Sequence, residues 1–302
     1  MNNVLLNYMS RIKWAPRTIT LGMKNRDKTF MIIRRNSKTV GLFSYVLTNL
    51  GYIKNAVDNG YIPVIDMKNY ESPYRDIHSK CNVWEYYFEQ PLNYNLDDVK
   101  HSYKVMLTSG EIPESFPGLE LLKSEEEIVK WREIYHKYIR LNRNTQIYVN
   151  DIKENLIGEY RVLGVLCRGT DYRSLKPKLH PVQPNVDVVI ADTKAAMEKW
   201  NCEKVYLATE DIEILQKFKN VFKEKLIFPD FSLRQYNETQ LISTIEIDRK
   251  DDRRLKGLEY LTQIALLAQC NCFIGSGCGG TYAALLMSNG FEHYRLYDLG
   301  VY

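Results

Sequence analysis

The sequence lacks the features of a membrane-spanning or secreted protein. It has no run of about 18 consecutive apolar residues, the length that a membrane-spanning helix requires. Its first residues carry neither a charged leader followed by an apolar run nor a cleavage site. We therefore expect a cytoplasmic protein without a membrane span.

The sequence also offers no recognisable metal site. Cys270, Cys272 and Cys278 lie close together, but their spacing matches no common zinc site, so buried thiols are the favoured interpretation. No Asp-x-Asp pair follows a predicted strand, and the acidic residues at 248–252 alternate with Arg and Lys in a charged loop. We therefore predict that no metal is bound.

Charge of one sign is not in large excess. The chain has 41 Lys and Arg against 37 Asp and Glu, which gives a net charge of +4. No basic tract is dense enough for a nucleic-acid protein, so nucleic acid is disfavoured as a partner. The mild positive charge is compatible with an anionic ligand and with peripheral contact with an anionic membrane surface.

What is present indicates a globular α/β protein. A chain of 302 residues that is 45% hydrophobic and 26% charged has an ordinary soluble composition, and its length favours two domains of about 150 residues each. Strands alternate with helices, which predicts parallel, doubly wound sheets. The interpretation is two Rossmann-like domains with a cleft between them, at 1–155 and 156–302.

The predicted elements follow from apolar periodicity. In the first half they are strand 30–34, helix 41–59, strand 61–65, an irregular aromatic segment at 71–118 and a helical pattern at 124–156. In the second half they are strands at 162–167, 205–208, 226–228, 272–274 and 293–297, with helices at 185–200, 212–222, 255–269 and 281–287.

Arg168 is the first candidate functional residue. It follows a buried apolar strand, and an arginine there is costly unless an anion meets it. The carboxyl ends of parallel strands are also where such sheets bind ligands, so the guanidinium is suited to a phosphate, with Asp171 orienting it. The alternative is a surface pair between Arg168 and Asp171 that fixes a turn.

A glycine-rich turn at 275–280 is the second candidate. It joins a strand to a helix, and the free N–H groups near Thr281 would bind an anion. Tight packing alone would also explain the glycines. The turn satisfies G-x-G-x-x-G with Asp298 about twenty residues on, so an NAD- or FAD-dependent oxidoreductase is a rival. That fingerprint belongs to the first unit of its fold, however, and here it lies in the last.

Three blocks resemble the fucosyltransferase superfamily that includes α1,6-fucosyltransferases and protein O-fucosyltransferases. The family motif H-x-R-x-T-D, followed nine residues later by H-P, aligns without a gap with Leu166–Asp171 and then His180-Pro181. The other two are VYLATEDIEILQKFK and LLAQCNCFIGSGCGGTYA. They resemble the family's T-[ED]-D turn and its Ser/Thr-rich turn for the nucleotide diphosphate.

The resemblance implies a GT-B glycosyltransferase that is inverting and needs neither metal nor cofactor, with GDP-fucose as the nucleotide-sugar co-substrate. The implied acceptor is a glycan, glycoconjugate or lipid-linked glycan, as in polysaccharide biosynthesis. The implied donor-binding residues are Arg168, Asp171, His180, Thr209, Glu210, Asp211, Glu259, Gln263, Ser276, Gly277, Cys278, Gly279, Gly280 and Thr281.

The sequence departs from the family pattern at several positions. The motif histidine is Leu166 here, the second arginine is Gly169, and Lys176 stands where α1,6-fucosyltransferases carry a glutamate implicated in catalysis. The family's nucleobase-reading carboxylate falls on Gln263, with Glu259 one helical turn earlier. A non-catalytic nucleotide-sugar-binding protein therefore stays open as an alternative.

The base that an inverting transfer requires is predicted to come from the first half. Asp66 follows the strand at 61–65, and Glu85 and Glu89 lie in the aromatic segment. We favour Asp66 as a catalytic residue beside Arg168, because the end of a parallel strand faces the cleft. The alternative is an aspartate that caps a helix or turn.

Overall fold

Two largely parallel β-sheets, one in each half of the chain, organise the fold. The computed structural model describes residues 13–35, 37–169, 176, 178–229, 231 and 245–302. Both sheets carry helices, and the predicted α/β class is confirmed.

The first sheet has the strand order β1-β4-β2-β3. β2 pairs in parallel with β3 and β4, and β1 pairs antiparallel with β4. Helix α1 connects β2 to β3, as the periodicity predicts. The elements are β1 (Arg17–Ile19), β2 (Lys24–Ile33), α1 (Leu42–Asp58), β3 (Ile62–Ile65), the short helix α2 (Leu96–Val99) and β4 (Ser102–Leu107).

β4 lies inside the segment that the sequence predicts to be irregular. Its residues are SYKVML, in which Tyr103 and Lys104 are exposed and Ser102 and Val105 are buried. The strand therefore has no clean alternation of apolar and polar residues, the signal on which strand prediction depends. The aromatic residues Trp84 and Tyr87 of the same segment are core residues.

The second sheet is entirely parallel, with the order β7-β6-β5-β8-β9. The buried clusters assign α5 and α6 to one face and α7 and α8 to the other, which confirms the doubly wound prediction. The elements are β5 (Val162–Leu166), α5 (Val186–Lys199), β6 (Lys204–Ala208), α6 (Ile212–Phe222), β7 (Leu226–Ile227), α7 (Asp252–Leu267), β8 (Cys272–Ser276), α8 (Gly279–Met287) and β9 (His293–Tyr297).

The direction in which successive strands are added to this sheet reverses between β5 and β8. The chain builds β5, β6 and β7 outward on one side, then returns to place β8 and β9 on the other. At such a reversal the loops after the two central strands diverge and leave a crevice at the carboxyl ends. The segment after β5 begins with Arg168, and the glycine-rich turn follows β8.

The helical pattern at 124–156 forms two helices, α3 (Glu125–Tyr138) and α4 (Arg143–Leu156). Ser124 caps α3, because its side chain accepts a hydrogen bond from the Glu127 N–H at 3.2 Å. Asn142 caps α4 by accepting from the Thr145 N–H at 2.9 Å. The Asn142 cap starts a second helix within an apolar periodicity that otherwise continues across the whole pattern at 124–156.

One buried hydrophobic cluster spans both halves. Phe43 of α1 and Trp131 of α3 belong to it together with Leu285 of α8. α8 packs on α1 and α3, and α4, which ends at the predicted domain boundary, packs on α7. The division at residue 155 stays a prediction. Short 3-10 turns complete the description at Val83–Tyr86, Leu119–Leu122 and Lys223–Lys225.

Across the described ranges, no helix combines the length and the apolar character needed to cross a bilayer.

Candidate functional site

A cavity of about 1150 Å³ lies between the two halves at the carboxyl ends of β2 and β5. Both halves contribute to its wall. From the first half the wall includes Arg35, Phe43, Glu114, Phe116 and Trp131, and from the second it includes Arg168, His180, Glu210, Gln263 and Gly279. A crevice of this size at a topological switch point is the expected ligand site of an α/β protein.

Arg168 is a largely buried cation in this wall. Only 10% of its side chain is exposed, and its Nη1 lies 3.4 Å from Oε2 of Glu210. The other oxygen of Glu210 accepts a hydrogen bond from the Gly169 N–H at 2.9 Å. Glu210 therefore fixes both the guanidinium and the backbone that carries it, which aims the cation at the cavity.

The packing around Gly169 explains why a glycine stands where the family motif has its second arginine. A Cβ atom at Gly169 would lie 2.4 Å from Oδ2 of Asp211, so no larger side chain fits there without movement of the buried Asp211. Asp211 is held in turn because its carboxylate caps α6, accepting from the Glu213 N–H at 2.8 Å. Its own N–H donates to Thr209 Oγ1 at 3.2 Å. Thr209 and Asp211 thus support the loop, and Glu210 lines the cavity.

The glycine-rich turn leads from β8 into α8 at the same end of the cavity. Cys278, which is buried, and Gly279 line the cavity, whereas Ser276, Gly280 and Thr281 are buried and do not line it. Cys278 is the N-cap residue of α8 and makes no side-chain cap hydrogen bond to the helix backbone. Burial raises the pKa of the Cys278 thiol, and the positive charge of Arg168 opposes that rise. Arg168 and the start of α8 therefore lie close together in the same part of the cavity wall.

Hydrogen bonds with Gln183 and close packing against Pro181 hold the glycine-rich turn in place. Gln183 accepts a hydrogen bond from Ser276 Oγ at 2.5 Å and donates one to the Gly277 carbonyl at 3.0 Å. A Cβ at Gly277 would lie 2.7 Å from Pro181, so this glycine is required by close packing. His180, beside that proline, lines the cavity and is exposed. The H-P dipeptide therefore holds the turn as well as lining the cleft.

Helix α7 supplies a third part of the wall. Glu259 and Gln263 both line the cavity, as their spacing of one helical turn predicts. Both carboxylate oxygens of Glu259 are bonded to Arg249, at 2.6 and 2.8 Å, and Arg249 also bonds Asp252 at 2.7 Å. The hydrogen bonds that Arg249 donates to Glu259 raise the pKa of Arg249. Glu259 is thus already ion-paired within the wall of the cavity.

Asp66 lies outside the lining of this cavity. It is buried, and its carboxylate accepts hydrogen bonds from the N–H groups of Lys68 and Asn69 at 2.9 and 3.0 Å and from the Asn69 side chain at 2.9 Å. The structure therefore gives Asp66 the turn-capping position that the sequence left open as the alternative. Glu85 and Glu89, the other first-half candidates, do not belong to the lining either.

Asp171 lies outside the described residues. Lys176 is exposed, has a φ of 41° and is not part of the lining.

The sequence interpretation missed Arg35. Arg35 follows strand β2 as Arg168 follows β5. The signal that marked Arg168, an arginine after a buried strand, therefore also marked Arg35. Its Nη1 donates to the Ser44 carbonyl at 3.2 Å and to Thr48 Oγ1 at 2.5 Å, and burial lowers its pKa. Its neighbour Arg34 points instead into the protein and bonds the Thr108 carbonyl at 2.6 Å. The sequence cannot tell which of two adjacent arginines faces the cleft.

The sequence interpretation also missed the segment 112–120. Most of its residues line the cavity, including Glu114 and Glu120. No local motif marks it, because it reaches the cleft only through packing against α1. Within the described part of the chain, no group of three or more His, Cys, Asp or Glu side chains is arranged to hold a metal ion.

No protein-family model and no curated protein matches the chain.

Comparison with solved structures does identify the fold. Two α/β halves that share a cleft at the carboxyl ends of their strands define the GT-B class. Within it, the chain is similar to fucosyltransferase NodZ from Bradyrhizobium, with a TM-score of 0.51 and 15% identity over 86% of this chain and 94% of that one. It is also similar to POFUT1 in complex with GDP, with a TM-score of 0.52 and 9% identity over 91% and 99% of the two chains. The predicted resemblance to fucosyltransferases is thus confirmed at the level of the fold.

Proposed function

We propose that the protein is an inverting, metal-independent glycosyltransferase that moves fucose from GDP-fucose to a hydroxyl of a glycan or lipid-linked glycan. The observation that carries the proposal is the convergence of Arg168 and the start of α8 on one wall of the cleft. A similar structure, NodZ α-1,6-fucosyltransferase, was soaked with GDP-fucose, and the POFUT1 structure contains GDP. These observations support a GDP-sugar as the ligand.

The proposed reaction is a direct displacement. The acceptor oxygen forms a bond to the anomeric carbon while the bond from that carbon to the diphosphate breaks, so the configuration inverts. The electron pair of the broken bond leaves with GDP, and a base takes the acceptor proton. Arg168 and the backbone N–H groups at the start of α8 would stabilise the charge that grows on the diphosphate. Glu259 and Gln263 would lie toward the nucleobase.

A nucleotide-sugar-binding protein without catalysis is the second candidate. Leu166 in the cavity wall favours it, because the family motif has a histidine at this position and leucine offers no polar group. The ion pair between Glu259 and Arg249 does not separate the two candidates, because a carboxylate held at both oxygens is less free to bind a nucleobase in either of them. Turnover of the donor distinguishes the two candidates.

The oxidoreductase alternative has less support than its fingerprint suggested. Gly275 lies within β8 rather than in the turn, and Asp298 pairs with Lys123 at 3.2 Å. The turn also follows the fourth strand of its sheet in chain order, not the first.

A thermal-shift screen with GDP, UDP, CMP and NAD is expected to single out GDP. A ligand that binds only the folded state stabilises it by about 2.7 kcal/mol at a concentration of 100 times its Kd. The measurement is the melting temperature at several concentrations of each nucleotide. A rise with NAD alone would contradict the proposal and favour the oxidoreductase.

Release of GDP from GDP-fucose is expected to persist in excess EDTA. The charge of the leaving diphosphate would be met by a guanidinium and by helix N–H groups, which chelation does not remove. The assay compares GDP release at saturating donor with and without EDTA. Loss of activity on chelation and recovery with Mg²⁺ or Mn²⁺ would refute metal independence.

A further inference from the structure

Five glutamates line the described part of the cavity wall, and four of them already have a partner. The remaining one is Glu114, which is exposed. Within the residues that the structure describes, Glu114 makes no ion pair or hydrogen bond. The partners of the other four are the Gly118 N–H for Glu120, Lys130 for Glu127, Arg168 for Glu210 and Arg249 for Glu259.

The backbone around Glu114 is fixed against α1. A Cβ at Gly51 would lie 2.3 Å from the Ser115 carbonyl oxygen and 3.0 Å from Pro113, so the segment rests directly on a glycine of the helix. The Tyr52 hydroxyl lies 3.2 Å from the Glu111 carbonyl oxygen, to which it donates, and 3.0 Å from Ser109 Oγ. A catalytic group needs such support, because its position must not vary with loop motion.

The surroundings of Glu114 suit a neutral acceptor. Ile112, Phe116 and Leu119 belong to the same segment and also line the cavity, and Ile112 and Leu119 are exposed there. Apolar side chains pack well against the faces of a sugar ring and leave its hydroxyls to the polar group among them. Of the lining Arg and Lys residues, Arg168 and Lys256 come from the second half of the chain, whereas Arg35, like Glu114, comes from the first.

We propose that Glu114 is the catalytic base of the transfer, an assignment that rests on the proposed function. The acceptor O–H gives its proton to the Glu114 carboxylate while its oxygen bonds to the anomeric carbon of the donor. The bond from that carbon to the diphosphate breaks in the same step, and its electron pair leaves with GDP. Glu114 thereby takes the role predicted for Asp66, whose carboxylate is occupied in a turn.

The test uses Glu114→Gln, which keeps the shape of the side chain and removes the base. GDP release from GDP-fucose is measured with water and with a panel of methyl glycosides as acceptors. We expect kcat to fall by about 100-fold or more, because general-base catalysis contributes about 10²–10⁴. The KM for GDP-fucose and the thermal shift with GDP should stay unchanged. Glu111→Gln is the matched control, because Glu111 is exposed three residues away and lies outside the lining.

A rescue experiment separates catalysis from structure. Glu114→Ala should regain part of its rate in sodium formate, since a small carboxylate can enter the space and accept the proton. Wild-type turnover in Glu114→Gln, or a loss in Glu114→Ala that formate does not relieve, overturns the assignment of Glu114 alone. A wild-type protein that neither binds GDP nor releases it from GDP-fucose overturns the proposed function, and this assignment with it.

Discussion

Replacing Arg168 by alanine is expected to lower fucose transfer by about 100- to 1000-fold. Removal of one preorganised donor to a developing negative charge costs about 2.7–4 kcal/mol of transition-state stabilisation. Arg168 is the cation that the second sheet presents next to α8, and its side chain is only 10% exposed, so water cannot readily replace it. The measurement is kcat from GDP release at saturating donor. Arg168→Lys should recover little, because an ammonium lacks the planar fork of the guanidinium.

Folding must be separated from catalysis in this experiment. Arg168→Ala leaves Glu210 largely buried without its cation, which by itself is destabilising. The double variant Arg168→Ala/Glu210→Gln removes that charge, and it should regain melting temperature without regaining activity. Arg140→Ala is the matched control, since Arg140 is an exposed arginine paired with Glu89 outside the cavity. A folded Arg168→Ala protein with near-normal turnover would remove Arg168 from the mechanism.

The layout of the second half could be predicted because its local signals agree with one another. Helices such as α6 show apolar residues at helical spacing, and Asp211 caps that helix just where the periodicity begins. Once the strands alternate with helices, the parallel sheet follows from topology. The position of Arg168 at the carboxyl end of a central strand therefore required no tertiary information.

The parts that could not be predicted depend on contacts between distant segments. Glu114 reaches the cleft only because Gly51 allows the backbone of the segment 112–120 to approach α1. Asp66 and Arg168 have the same local signature, a polar residue after a buried strand. Only the structure shows that Asp66 is held by the turn that follows it. The ion pair of Glu259 with Arg249 likewise depends on how the charged loop folds back onto α7.

The walls of the cleft are joined by a continuous interface between the two halves. Arg132 of α3 donates to the Leu285 carbonyl of α8 at 3.0 Å, and the Tyr87 hydroxyl donates to the Arg254 carbonyl of α7 at 2.9 Å. Phe43 of α1 packs against Gly279 at the start of α8. The geometry of the cleft therefore depends on packing between the halves, and a defect there should disturb both stability and ligand binding.

Gly257→Ala is expected to lower the free energy of unfolding by about 1–3 kcal/mol, the usual cost of overpacking a well-filled core. A Cβ at Gly257 would lie 2.2 Å from the Tyr87 hydroxyl oxygen and 2.9 Å from Tyr74. Tyr87 is only 1% exposed, so its ring is enclosed by the core and cannot turn out into solvent without disturbing its neighbours. Its displacement would also break the hydrogen bond to Arg254. Alanine stabilises a helix by about 1 kcal/mol relative to glycine. A lower free energy of unfolding for Gly257→Ala therefore shows that overpacking outweighs helix propensity, and a higher one shows the reverse.

The measurement for Gly257→Ala is the melting temperature, with GDP affinity as a second readout. Lys256 and Tyr260 flank Gly257 on α7 and line the cavity, so GDP should bind more weakly as the helix shifts. Tyr87→Phe removes the oxygen that the new methyl group meets first. The double variant Gly257→Ala/Tyr87→Phe should therefore lose less stability than the two single changes added together. Additive losses, or a higher melting temperature for Gly257→Ala, would mean that the two halves do not meet at this glycine in solution.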